Sequence, residues 1–274
     1  MEFFDCHTHS CYSFDSKESI DEMVKKALSL NLKAITFTEH LAPLPDGFSF
    51  YENVKKSKEE ALRAQEKVKD KLLVLSGVEL EDMYDKKDFS SFYKMDLDAI
   101  LISVHSTPIF KKYFPDNPYG INLVTSVKVA PMDFLENFIE IYYNELLNNV
   151  INIDADIVTH LTFPLRYING RGKKGLDITK FYSLIDEVLK AVIKTGKTLE
   201  VNTASFEQYN MFVPDKDILT RYFNMGGRNI SLGSDAHRAD QLGCGFSEAG
   251  KMLKDIGFDK GSYFVGRKRF LYNL

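Results

Sequence analysis

Short, nearly unbroken apolar runs alternate along this chain with longer runs in which apolar residues recur every third or fourth position. The short runs, at 2–5, 33–37, 72–77, 99–103, 156–159, 198–201 and 229–232, have the character of parallel strands buried on both faces. The longer runs, at 18–30, 51–71, 132–148, 178–195, 215–225 and 247–256, have helical periodicity. In the first of them Ile20, Val24, Ala27 and Leu28 share one face, behind an opening Ser16-x-x-Ser19. Six or seven strand–helix repeats in 274 residues predict an α/β fold, a closed or nearly closed β/α barrel rather than two domains. One domain is therefore expected to occupy 1–274.

The pattern fades between 107 and 131, where Pro108, Pro115, Pro118 and Gly120 interrupt it. A long loop there follows a strand and would hang over the barrel mouth. The charged run at 54–71 reads as the wet face of a helix. Hydrophobic residues make up 44% of the chain, enough for a large core and too many for a disordered protein. The net charge of −4 speaks against a general electrostatic grip on nucleic acid. No apolar run reaches the roughly 18 residues needed to span a bilayer. The first residues lack the basic and apolar segments of a signal peptide, so a cytoplasmic location is expected. The three cysteines, Cys6, Cys11 and Cys244, cannot form a disulfide framework and are assigned structural roles.

The chain has six histidines, His7, His9, His40, His105, His160 and His237, each at or just after the end of an expected strand. Any one of them alone would read as a hydrogen-bonded loop or core residue. As a set they do not, because none falls on a helix and all belong to the rim where barrel strands converge. Clustered neutral imidazoles most readily share a metal. Asp5, His7 and His9 alternate and should project to one side, so that two imidazoles bind metal while Asp5 orients one of them from behind. Glu79, Asp235 and Asp15 lie at matching places, and Asp235-x-His237 repeats the alternation. Taken singly, Glu79 or Asp235 would read as a cap or a surface acid. Together these nitrogen and oxygen ligands exceed what one tetrahedral zinc accepts and suit two or three divalent ions with bridging carboxylates.

The segments Asp5-Cys6-His7-Thr8-His9-Ser10, Thr38-Glu39-His40, Gly77-Val78-Glu79, Ser103-Val104-His105, Thr159-His160 and Gly233-Ser234-Asp235-Ala236-His237 resemble the signature of the PHP (polymerase and histidinol phosphatase) family. The resemblance runs in order from residue 5 to 237 and implies a distorted seven-stranded β/α barrel with three divalent ions, zinc, manganese or iron. It implies that His7, His9, Glu79 and Asp235 share one ion. Glu79 would bridge to a second held by His105 and His160, and His40, His237 and Asp15 would hold the third. Asp15 takes a place that is histidine in some members, a change that favours harder ions such as manganese or iron. A free-standing chain of this size is similar to the histidinol-phosphatase branch, as are the segments around Glu200 and Asn202 and after His160. In that branch an arginine corresponding to Arg166 contacts the substrate phosphate, a surface ion pair being the alternative for Arg166. Asn202 is a second expected substrate contact.

The expected reaction is hydrolysis of L-histidinol phosphate to L-histidinol and phosphate, serving histidine biosynthesis. Attack would come from a hydroxide bridging two of the ions held by His7, His9, Glu79 and Asp235. The ions dominate the local field and offset the acidic chain toward a phosphate dianion. Arg171, Lys173 and Lys174 could meet an anionic substrate or form a solvated loop. Tyr113, Phe114 and Tyr119 could stack on the substrate imidazole or anchor their loop. The competing functions are another PHP phosphoesterase (a nuclease or phosphotyrosine phosphatase), an amidohydrolase-type deacetylase or deaminase, and a non-catalytic metal-dependent regulator. The expected partner is a small phosphomonoester, with no nucleic acid and no membrane, and nothing in the sequence fixes an oligomeric state.

Overall fold

The computed structural model describes residues 2–44, 47–48, 50–82, 93–105, 107 and 124–274. Seven parallel strands stand in chain order: β1 (Phe4–Thr8), β2 (Ala34–Leu41), β3 (Leu73–Glu81), β4 (Ala99–Ser103), β5 (Ile157–Val158), β6 (Thr198–Asn202) and β7 (Ile230–Gly233). The barrel is nearly closed. β1 and β7 share no ladder, but Asp235 N donates to His7 O at 2.8 Å and His9 N to Ala236 O at 2.9 Å, which joins the seam at the C-terminal rim. Gly77 allows β3 to lie close to its neighbours: a Cβ there would stand 2.8 Å from Ala99 O and 2.9 Å from Thr38 Cγ2.

Helices α1 (Ile20–Ser29), α2 (Tyr51–Val68), α3 (Met132–Asn152), α4 (Tyr182–Thr195), α5 (Lys216–Asn224) and α6 (Phe246–Ile256) cover the strands. Local chemistry sets their ends. Glu22 N donates to the side chain of Ser19 at the start of α1, and Ile218 N to that of Asp215 at the start of α5. Gly196, at φ +72°, stops α4 in a left-handed conformation. On α3 the buried stripe Leu135, Phe138, Ile139, Tyr142 and Leu146 follows helical spacing and faces the barrel core. Burying each such side chain contributes about 1.5–3 kcal/mol relative to exposure.

The observed elements depart from the sequence expectation in ways that matter for the site. β1 is displaced to Phe4–Thr8 from the expected 2–5, because polar His7 and Thr8 continue the strand and Thr8 Oγ1 donates to Thr36 O at 2.9 Å. β2 and β3 run on past their apolar segments, so His40 and Glu79 lie within strands, not after them. A C-terminal hairpin, β8 (Lys260–Val265) and β9 (Lys268–Asn273), was not anticipated. It packs at the end of the barrel opposite the histidines. Phe4 stacks on Tyr263 and Tyr272 with ring centroids 4.4 Å apart in each case, and Arg267 pairs with Asp154 and Asp156 ahead of β5. Within the expected loop at 107–131, Val124–Val129 is a short helix. Most of the remainder, with Tyr113, Phe114 and Tyr119, lies outside the described residues.

Candidate metal centre

All six histidines converge at the C-terminal rim. Three pairs of ring nitrogens face one another: His7 Nε2 and His9 Nε2 at 3.0 Å, His105 Nε2 and His160 Nε2 at 3.3 Å, and His40 Nε2 and His237 Nε2 at 3.4 Å. Carboxylates stand beside each pair. Asp235 Oδ1 lies 3.8 Å from His7 Nε2 and 3.5 Å from His9 Nε2. Asp15 reaches His40 Nε2 at 3.4 Å and His237 Nε2 at 3.1 Å. Glu79 spans two of the pairs and touches the third: Oε1 lies 2.9 Å from His160 Nε2 and 3.4 Å from His105 Nε2, while Oε2 lies 3.4 Å from His7 Nε2, 3.6 Å from His9 Nε2 and 3.1 Å from His40 Nδ1. The structure thus brings together His7, His9, Asp15, His40, Glu79, His105, His160, Asp235 and His237.

Behind these groups stand three carboxylates. Glu81 contacts Nδ1 of His40 and lies 3.5 Å from Nδ1 of His105. Glu39 accepts from Ser10, Ser13 and Ser57 hydroxyls, and Ser13 Oγ lies 3.0 Å from His9 Nδ1. Glu200 Oε1 lies 2.7 Å from His7 Nδ1. None of these three was selected as a site residue from the sequence. Their signals were an acid two residues beyond Glu79 on the same strand face, and acids inside otherwise apolar strands. Asp5 requires a correction, because it orients no imidazole. Its carboxylate accepts from Ser234 N at 2.9 Å and Ser234 Oγ at 2.6 Å, which ties β1 to the turn carrying Asp235. The strand register shifts between Asp5 and Thr8, so simple alternation does not carry Asp5 to the histidines.

The electrostatics are those of a site that attracts positive charge. Burial opposes a charged His7, yet Glu200, Glu79 and Asp235 hold it well above its usual range. His40 and His105 are likewise raised against burial, with Glu81 prominent for the first and Glu79 for the second. Burial and the facing His40 and His237 bring His9 down to about 3. Despite burial, neighbouring histidines hold Glu79 and Asp235 well below the usual carboxylate range and bring Glu81 to about 2.

The donor set fits divalent cations. The single proton of Ser13 Oγ goes to Glu39, so His9 Nδ1 must donate to Ser13 and leave its Nε2 bare. His237 Nδ1 lies 2.9 Å from the Asp235 carbonyl, which places the proton of the neutral ring on Nδ1 and leaves Nε2 as the ligating atom. Glu79 Oε2 and Glu81 Oε1 are buried and face imidazole nitrogens alone, both crowding on His40 Nδ1. His9, His40 and His237, and Glu79 with His105 and His160, present ligand atoms close enough to share an ion.

A cleft of about 500 Å³ opens beside this rim, lined in part by Asp15, Asp235, His237, Arg166, Arg171 and Tyr209. Arg166 donates from Nε to Ser205 Oγ at 2.9 Å and from Nη2 to Asn202 Oδ1 at 2.8 Å and Asp235 Oδ2 at 3.2 Å. Asn202 is a second correction. It is fully buried, its Oδ1 accepts from Arg166 and Ala204 N, and its Nδ2 donates toward Glu200 and Asp235, so it braces Arg166 and does not line the cleft. Lys174 is tied to the carbonyls of Lys128 and Ala130, whereas Arg171 borders the cleft. Cys6 is buried and Cys11 exposed, and Cys244 lines the cleft.

A parallel barrel with imidazoles and carboxylates gathered from successive strand ends defines a class of metal-site β/α hydrolase folds. The PHP domain family matches residues 5–204, and the chain belongs to that family. A histidinol-phosphatase of Lactococcus lactis is 27% identical over 98% of this chain and 96% of its own length. A probable histidinol-phosphatase of Thermotoga maritima is 25% identical over 93% of each. The crystal structure of histidinol phosphate phosphatase from Lactococcus lactis, complexed with zinc, L-histidinol and phosphate, is similar with a TM-score of 0.78 at 26% identity, covering 98% of this chain and 99% of that one. No helix among the described residues is long and apolar enough to cross a membrane.

Proposed function

We propose that the chain acts as one barrel domain and is a metal-dependent phosphomonoesterase that hydrolyses L-histidinol phosphate to L-histidinol and inorganic phosphate. The observation that carries this reading is the set of three facing imidazole pairs with Glu79 spanning two of them, beside a cleft bordered by Arg166. The similarity to relatives named histidinol-phosphatase over nearly their whole length supports the choice of substrate. The zinc, L-histidinol and phosphate of the similar crystal structure support the choice of ligands.

In this reading His7, His9, Glu79 and Asp235 hold one divalent ion. Glu79, His105 and His160 hold a second, and Asp15, His40 and His237 a third. Such ions supply Lewis acidity to the phosphoryl oxygens and to the attacking water. The protein's own work is positioning. Glu79 fixes the spacing of two imidazole pairs, and Glu81 and Glu39 restrain the rings from behind. Arg166, braced by Asn202 and Ser205, aims its guanidinium at a phosphoryl oxygen, and the cleft receives the alcohol portion. Water attacks phosphorus, the bond from phosphorus to the alcohol oxygen breaks, and the alcohol leaves with a proton. Zinc is the first ion to test, and the anionic Asp15 favours manganese or iron at its position.

The test is a side-by-side measurement of kcat/KM for L-histidinol phosphate, phosphotyrosine and a short oligonucleotide, using protein of measured metal content. Histidinol phosphate should be turned over at least tenfold more efficiently than the others. Equal or better turnover of phosphotyrosine or the oligonucleotide would overturn the substrate assignment.

A further inference from the structure

Glu200 is a buried carboxylate on β6 that neither reaches the cleft nor faces Arg or Lys in an ion pair among the described residues. Its two oxygens are divided between two histidines from different strand ends. Oε1 lies 2.7 Å from His7 Nδ1, and Oε2 accepts the backbone N–H of His160 at 2.7 Å. The His160 backbone has φ +22°, outside the regions that residues with a side chain ordinarily adopt, so the N–H it presents needs an anchor. Room for this arrangement comes from Gly233 on β7. A Cβ there would stand 2.1 Å from Glu200 Oε1 and 2.7 Å from His7 Cβ.

We infer that Glu200 is a positioning residue that selects the ligating tautomer of His7 and at the same time pins the backbone of His160, with Gly233 left bare to admit it. The inference rests on the reading that both histidines hold metal. A carboxylate only accepts hydrogen bonds, so the neutral, ligating form of His7 must carry its proton on Nδ1 and offer Nε2, which faces His9 and Glu79, to the metal. Glutamine has the same shape but offers one acceptor and one donor. If its oxygen keeps the His160 N–H, its NH₂ faces His7 Nδ1 and drives the ring proton to Nε2, where it blocks ligation. If its oxygen keeps His7, its NH₂ meets the His160 N–H and the strained turn loses its anchor. Neither orientation satisfies both histidines.

The experiment compares wild type, Glu200→Gln and Gly233→Ala by equilibrium zinc binding against a chromophoric chelator, with circular dichroism to follow the fold. Glu200→Gln should keep the wild-type spectrum and lose about ten- to hundredfold in zinc affinity. Gly233→Ala, which displaces the carboxylate sterically, should lose affinity in the same direction. The zinc-loaded wild type gives a readout that needs no variant: two-bond ¹H–¹⁵N correlations of the His7 ring should show a protonated Nδ1 and an unprotonated Nε2. Wild-type zinc affinity in Glu200→Gln, or a protonated Nε2 on His7 in the zinc-loaded wild type, overturns the inference while leaving the metal centre intact. Failure of the wild type itself to bind zinc overturns both.

Discussion

Arg166 is the side chain whose removal separates phosphate recognition from metal binding. Its side chain is 14% exposed, and its guanidinium is held by Ser205, Asn202 and Asp235 at 2.8–3.2 Å while bordering the cleft. That bracing fixes the direction of the fork before a substrate arrives, so little rotamer freedom is lost on binding. A hydrogen bond to a charged group contributes about 1.5–3 kcal/mol. At about 1.4 kcal/mol per decade, Arg166→Gln should therefore lower kcat/KM roughly ten- to 150-fold. Arg166→Lys should fall between, keeping the charge and losing the planar fork. Because the contact is to the phosphoryl group, the loss should be similar for histidinol phosphate and for p-nitrophenyl phosphate. Zinc content should stay at the wild-type level, since Asp235 loses a cationic neighbour and keeps its histidines. The assay is phosphate release under subsaturating substrate, with zinc per chain measured on the same samples. A variant within threefold of wild type, or a loss confined to one leaving alcohol, would refute the assignment of Arg166 to the phosphate.

Other expectations follow from the same geometry. Glu79→Gln, which neutralises the carboxylate set between the His7–His9 and His105–His160 pairs, should lower zinc content and phosphate release together, by more than about a hundredfold in rate; normal turnover with full expression would exclude a multinuclear site. In chelator-stripped protein, His7, His40, His105 and His237 keep their protons to higher pH than an ordinary histidine, so zinc must displace them, and its affinity should rise as pH increases above about 6.5, with measurable proton release by calorimetry in two buffers. The stability contributed by those imidazolium–carboxylate contacts is complete below the unfolded histidine value near 6.5 and is lost as pH rises through the raised folded values. The increase in Tm on adding zinc should therefore grow with pH, and a pH-independent increase would contradict the assignment. Gly77→Ala, which puts a Cβ 2.8 Å from Ala99 O, should cost about 1–3 kcal/mol in urea unfolding, and an unchanged midpoint would show that β3 and β4 can separate freely.

Much of the barrel was legible because buried parallel strands are apolar on both faces, so their runs stand out from the helical periodicity around them. The same cue failed where function intrudes. His7 and Thr8 in β1, His40 in β2 and Glu79 in β3 are polar residues on strand continuations, and an apolar-run reading ends before them. The hairpin Lys260–Val265 and Lys268–Asn273 escaped notice because Lys260, Lys268 and Arg269 break its apolar pattern, and only Tyr272 of its second strand is buried. The histidines were legible as a set because all six lie at or just after strand ends. The carboxylates behind them were not, because Glu200 and Glu39 look like single acids in sequence and acquire meaning only through His7 and Ser13 across the barrel. Asp5 was misassigned for the converse reason: its spacing from His7 suggested a shared face, whereas the register shift in β1 sends it to Ser234.

Anomalous diffraction at the zinc edge from crystals of the zinc-loaded protein tests most directly whether distant imidazoles and acids form one cation-binding rim. Peaks should lie among His7, His9, Glu79 and Asp235, among Glu79, His105 and His160, and among Asp15, His40 and His237. A fully loaded, phosphate-releasing protein with no anomalous density at this rim would contradict it.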